Sequence, residues 1–198
     1  KDTRCSLGQL AAFWRNQFKL PVIGITGSNG KTTVKEMVAA ILRKATWIKE
    51  SSVVQPNDPV LATEGNLNND IGVPLMLLRL RQHHQYAVFA MGMNHIGEIA
   101  YLTQQVKPDV ALITNAGNAH IEGLGSIEAV ARAKAEIFQG LRHQGTAIIN
   151  ADDTYASLWR DYASSFPKID FGLRQPAQIS ATYQMNALTS QMQLKLPD

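Results

Sequence analysis

The 198 residues, 45% hydrophobic and 18% charged, suffice for one substantial core and the start of a second. Nineteen Lys and Arg against sixteen Asp and Glu leave a formal net charge of +3, which does not by itself point to a nucleic-acid partner and suits anionic small molecules equally well. A single cysteine, Cys5, excludes an intramolecular disulfide and a cysteine-based zinc site. No apolar run approaches the roughly 20 residues of a membrane-spanning helix, so a cytoplasmic protein without membrane insertion is expected.

The chain opens on KDTRCSLGQLAAFW and closes on QLKLPD, abrupt ends that suggest a piece of something longer. Residues 22–26 form the first predicted strand, followed by a glycine-rich turn and a helix over 31–44. Residues 51–64, with Pro56, Asn57, Asp58 and Pro59, read as a mobile loop. A polar cluster, Asn66, Asn68, Asn69 and Asp70, precedes a helix over 73–81, where turn formation and capping are the plain expectation. Strands are then predicted at 86–91, 110–114, 146–150 and 168–171, separated by helices at 97–105, 126–139 and 154–163. The strands are short and apolar enough to be buried on both faces. The alternation gives an α/β fold, a mostly parallel P-loop-type sheet with helices on both faces. AQISATYQMN and SQMQLKLPD, joined through ALT, read as a short antiparallel pair near the end.

In such a sheet the ligand sits beyond the carboxyl ends of the strands, which directs attention to residues 27–33, 92–98, 115–125 and 151–153. Gly27, Ser28, Asn29 and Gly30 permit close approach of backbone amides, and the helix behind them offers unpaired N–H groups and a positive dipole end. Lys31 is placed to reach the β- and γ-phosphates of a nucleotide, Thr32 to ligate magnesium, and Thr33 completes the turn. The usual consensus has glycine where this chain has Ile25, so the match is to a variant. The plain alternative is a glycine turn with an incidental lysine.

TGSNGKTT resembles the ATP-binding loop of the Mur ligases, and ATEGNLNNDIGVPLMLLRL, GMNHIGEI, NAGNAHIEGLGSIEAVARAKAEIFQGL and IINADD continue the resemblance in the same order. Among these blocks ATEGNLNNDIGVPLMLLRL, and GNLNNDIGVP within it, favours the branch that adds D-alanyl-D-alanine. The resemblance implies a central ATPase domain over 21–198, incomplete at its end, with 1–20 leading in from a UDP-binding domain and a C-terminal domain beyond. It also implies a monomeric, bacterial ATP-dependent ligase. Such an enzyme phosphorylates the carboxylate of UDP-N-acetylmuramoyl-tripeptide and lets the amine of D-Ala-D-Ala displace the phosphate. Another ligase of the superfamily, such as a folylpolyglutamate synthetase, is the nearest rival.

The same resemblance implies that His120 and Lys134 hold a second magnesium ion, Lys134 as a carbamate. From the residues alone, a solvated loop histidine is the simpler reading of His120, since magnesium prefers oxygen. Ser126 can cap a helix in which Ile127, Ala131, Lys134 and Phe138 share a face, with Val130 and Ile137 alongside. Lys134 is then partly desolvated, which favours its neutral amine. A lysine whose stem lies on the core while its head reaches water fits the pattern equally well. By resemblance, Asn66, Asn68 and Asn69 face the muramoyl-peptide substrate, as do Asn94 and His95. Asp152 is open between approaching the nucleotide and closing an Asp-Asp turn.

One position departs from the family. Mur ligases place a glutamate where this chain has Ala90, and a methyl group cannot ligate a hard cation. The change is engineered, or natural to an inactive copy, or Glu98 substitutes for the missing acid, although a helix-start dipole role is simpler for Glu98. Weak magnesium binding and little turnover are expected. A nucleotide-binding module without catalysis is therefore the rival reading from a different class.

Overall fold

In the computed structural model, which describes residues 2–49, 57–118, 121–186 and 189–197, the apolar runs pair into one eight-stranded sheet. Its strands are β1 (Val22–Thr26), β2 (Val60–Ala62), β3 (Tyr86–Ala90), β4 (Val110–Ile113), β5 (Thr146–Asn150), β6 (Lys168–Gly172), β7 (Ile179–Met185) and β8 (Ser190–Lys195). They lie in the order β2-β3-β1-β4-β5-β6-β7-β8. All neighbours run parallel except β7 and β8, which are antiparallel as expected. Ile25 sits opposite both Ala90 and Leu112, so the carboxyl ends of β1, β3 and β4 open on one edge.

The helices are α1 (Thr3–Arg15), α2 (Lys31–Lys49), α3 (Gly72–Leu77), α4 (Glu98–Val106), α5 (Ile121–Leu124), α6 (Ile127–Ala135) and α7 (Ala156–Tyr162), with a 3₁₀ turn at Glu136–Gly140. The strand periodicity of two sends alternate residues to opposite faces. Leu61, Ala87, Phe89, Met91, Ala111, Ile113, Ala147 and Ile149 join side chains of α1, α3, α4, α6 and α7 in the larger core. Ile25, Val60, Val88 and Leu112 point the other way, against Ala39 of α2 and its half-buried neighbours Val34, Val38 and Leu42.

Four local expectations change. Residues 58–62 are not all loop: the Asp58 carboxylate accepts the Val60 N–H at 2.9 Å and pairs with Arg43, which sets up the three-residue β2. The first residues form α1, absent from the predicted elements. Asp2 caps it by accepting the Arg4 N–H at 2.9 Å, and Gly8, Ala11 and Arg15 are its buried face. The helix expected over 73–81 stops early, because its tail tightens into bonds from Arg79 to Met76 and from Leu80 to Leu77. The helix expected over 126–139 is α-helical only through Ala135 and ends as the 3₁₀ turn, with Ser126 capping it as foreseen.

Candidate nucleotide-binding site

β1 runs directly into the glycine turn, and Ile25, fully buried in the strand, has no part in it. Gly27 has φ +151°, and a Cβ there would overlap the Thr114 hydroxyl at the end of β4. Gly30 has φ +79°, a left-handed conformation that suits glycine. Its carbonyl accepts the Val34 N–H at 2.9 Å, which starts α2. Thr32 and Thr33 lie exposed on the first helical turn.

The turn is braced by the residues that follow β4 and β5. Thr114 Oγ1 donates to the Asn29 carbonyl at 2.7 Å. The Asn115 side chain bonds both backbone groups of the same residue, accepting the Asn29 N–H at 3.0 Å and donating to the Asn29 carbonyl at 3.1 Å. Ser28 exchanges hydrogen bonds with Gly117, and Asn150 Nδ2 donates to the Thr114 carbonyl at 2.9 Å. Asp153 accepts the Ala116 N–H at 2.9 Å. Among these braces, Thr114 and Asn150 escaped the sequence reading. Their signal was there, as polar side chains that end apolar strands on the ligand edge.

Lys31 folds back over the turn, with Nζ 2.5 Å from the Gly27 carbonyl and 3.3 Å from that of Ser28. Burial pulls its pKa below the usual lysine value. Lys134, on α6, is 1% exposed. Burial first, and then the Lys31 ammonium, lower its pKa to about 7. Lys134 therefore lies within electrostatic reach of the turn, although 103 positions separate the two lysines in the chain. Beside Asn29 and Gly30 an apolar recess of about 480 Å³ opens over Leu112, Ile148, Phe171 and Ile179.

On the other side of the edge, Asn68 accepts the Gly92 N–H through its carbonyl at 2.8 Å, which joins the polar cluster to the segment after β3. Asn66 and Asn69 are exposed there. Just before α3, Asn69 Oδ1 accepts the Gly72 N–H at 2.8 Å, while no side chain caps the helix at Ile71, and Asp70 pairs with Arg4. Asn94 and His95 are exposed, and Glu98 holds them by accepting the Asn94 N–H at 2.6 Å and contacting His95 Nδ1 at 2.9 Å. Asp152 closes a turn, its carboxylate taking the N–H groups of Leu173, Arg174 and Gln175. His120 lies outside the described residues.

Residues 25–197 match the Mur ligase middle domain. The chain belongs to the Mur ligase family. Over 165 residues it is 47% identical to the UDP-N-acetylmuramoyl-tripeptide--D-alanyl-D-alanine ligase of Haemophilus influenzae, an alignment covering 83% of this chain and 34% of that protein. The fold is similar to that of MurF from Acinetobacter baumannii, with a TM-score of 0.88 and 42% identity over 99% of this chain and 41% of that one. MurF from Thermotoga maritima in complex with ADP gives a TM-score of 0.83 at 26% identity, over 99% and 43% of the respective chains. This Mur ligase chain thus spans about a third of the length of the curated relative it matches.

Magnesium finds few hard donors among the described residues. Ala90, 4% exposed, ends β3 with a methyl group and gives its N–H to Thr63 Oγ1 at 3.0 Å. Glu98 is engaged with Asn94 and His95. No group of three His, Cys, Asp or Glu that could hold a metal occurs among the described residues. Thr32 remains as a hydroxyl donor, so the described side chains do not by themselves fit a metal site.

Proposed function

We propose that this chain is the ATP-binding part of an amide ligase that adds D-alanyl-D-alanine to UDP-N-acetylmuramoyl-tripeptide, releasing ADP and phosphate in the cytoplasm. The observation that carries the reading is the braced turn of residues 27–33 at the sheet edge, with the Lys31 ammonium folded over it and Lys134 behind. The amides of the turn and the start of α2 bind the phosphates. Lys31 leaves the Gly27 and Ser28 carbonyls to balance their charge, and the apolar recess beside Gly30 receives the base.

The chemistry asks little covalent work of the protein. A carboxylate oxygen of the tripeptide attacks the γ-phosphorus, the bond to the β-phosphate oxygen breaks, and ADP leaves. The dipeptide amine then attacks the acyl phosphate carbon, loses a proton, and phosphate departs. Positioning and electrostatic stabilisation carry both steps. Asn66, Asn68, Asn69, Asn94 and His95 lie on the peptide side of the edge. Lys134, neutral in good part near pH 7, has a lone pair free to add carbon dioxide with loss of a proton, and the resulting carbamate sets an anion near Lys31. A magnesium ion brought with the nucleotide phosphates would find the Thr32 hydroxyl on the first turn of α2 and would supply charge neutralisation there; His120 and a Lys134 carbamate would be its further ligands only by the family resemblance.

Titration calorimetry with ATP and ADP tests this reading. Loss of one charge-assisted contact costs roughly 1.5–3 kcal/mol, so Lys31→Met is expected to weaken binding about 10-fold or more. No binding by the unaltered chain, or equal binding by Lys31→Met, sinks the proposal.

Ala90 favours a second reading, a module that binds nucleotide without turning it over. It predicts ATP affinity nearly independent of magnesium and a magnesium-dependent gain in Ala90→Glu. Equal magnesium dependence in both chains counts against it.

A further inference from the structure

Lys35 lies one helical turn beyond Lys31 in α2, and the ATP-binding reading gives it no task. It is 2% exposed. Its ammonium donates to the Thr63 carbonyl and to Glu36 Oε1, each at 2.5 Å. Thr63, 1% exposed, follows β2 and is fixed on two further sides. Its N–H donates to the Val88 carbonyl at 3.0 Å and its hydroxyl accepts the Ala90 N–H at 3.0 Å. The chain then enters the polar loop, where the Asn68 carbonyl accepts the Gly92 N–H. A buried ammonium is a costly way to pin a helix to a sheet, because an apolar side chain of similar volume would do so without desolvating a charge. What the charge adds is a directed link. It runs from the helix that begins at the phosphate turn to a carbonyl that begins the peptide-side loop.

We infer that Lys35 is a positioning residue that transmits nucleotide occupancy of residues 27–33 to the loop of residues 64–69 through the Thr63 carbonyl. The inference rests on the ATP-binding reading. When phosphates draw the turn and the first turn of α2 together, Lys35 moves with the helix and carries Thr63, setting Asn66, Asn68 and Asn69 for the peptide. A helix–sheet anchor without this role would stabilise the fold and leave the two loops independent.

Hydrogen exchange with and without saturating ADP separates these roles. In the unaltered chain, ADP is expected to slow exchange at 27–33 and, by about fivefold or more, at 64–69. In Lys35→Met the effect at 27–33 persists and the effect at 64–69 is lost, while Lys35→Arg, which keeps a charged donor, restores it. Protection at 64–69 that survives in Lys35→Met overturns the inference, as does its absence in the unaltered chain when 27–33 is protected. Absence of protection at 27–33 in the unaltered chain instead removes the ATP-binding reading, and this inference with it. If Lys35→Met does not fold, Lys35→Gln is judged by the same two criteria.

Discussion

The two faces of the sheet are built for different ends. One is buried under α1, α3, α4, α6, the 3₁₀ turn and α7, and holds large side chains with almost no exposure, among them Phe89, Phe138 and Trp159. The other carries α2 against β1 to β3, and its apolar side chains from β4 to β7 line the recess beside the phosphate turn. The first face supplies the fold's free energy, because fully buried side chains have the most to lose on exposure. The second leaves concave apolar surface next to the turn that carries Lys31. Lys134 belongs to both, rooted in the first face and electrostatically coupled to Lys31 at the rim.

The sharpest way to break this contrast is to truncate the thick face. Trp159 is fully buried and its Nε1 donates to the Ala131 carbonyl at 3.0 Å, tying α7 to α6. Trp159→Ala is expected to cost about 3–5 kcal/mol in urea unfolding. A loss below about 0.5 kcal/mol, the range of ordinary surface substitutions, would show that the thick face is not where stability resides.

A somewhat smaller effect comes from Lys134. The unfolded chain keeps this proton until about pH 10.5, whereas the folded chain gives it up near pH 7. Between those values the unfolded state binds more protons, so stability rises with pH. The gain from pH 7 to pH 10 is about 3–4 kcal/mol, at up to 1.36 kcal/mol per unit. Lys134→Met should flatten this part of the profile, which denaturant melts at several pH values would reveal. An unchanged slope would mean that Lys134 reaches water and stays charged.

The sequence was most legible where one physical cause acts locally. β1, β3 and β4 are continuous apolar runs buried on both faces and stood out for that reason. By contrast, β5 is fully buried at alternate residues only and β6 (KIDFG) is half-buried along most of its length, contrary to the expectation of burial on both faces. Lys134 was found because its neighbours at helical spacing are apolar. β2 stayed hidden, since three residues carry no periodicity and its anchors, Arg43 and Lys35, are far away in the chain. α1 was obscured because its buried face is made of Gly8, Ala11 and Arg15, none of them a large apolar residue. The same holds for the site. The turn announces itself through glycines and Lys31, but Thr114 and Asn150 act through side-chain bonds to residues more than thirty positions distant. No local pattern encodes such pairings.

The finest test lies on the thin face. Phe171 is half-buried at the wall of the recess, across the sheet from the large core. Phe171→Ala should therefore destabilise the fold by only about 1 kcal/mol, well short of a fully buried aromatic. Its consequence should appear in ligand binding. An aromatic contact with a base is worth roughly 0.5–1.5 kcal/mol, so ATP should bind about three- to tenfold more weakly. Inorganic tripolyphosphate, which has no base, should bind Phe171→Ala as it binds the unaltered chain. Equal weakening of both ligands would place the effect on the turn itself, and no weakening of either would remove the base from the recess.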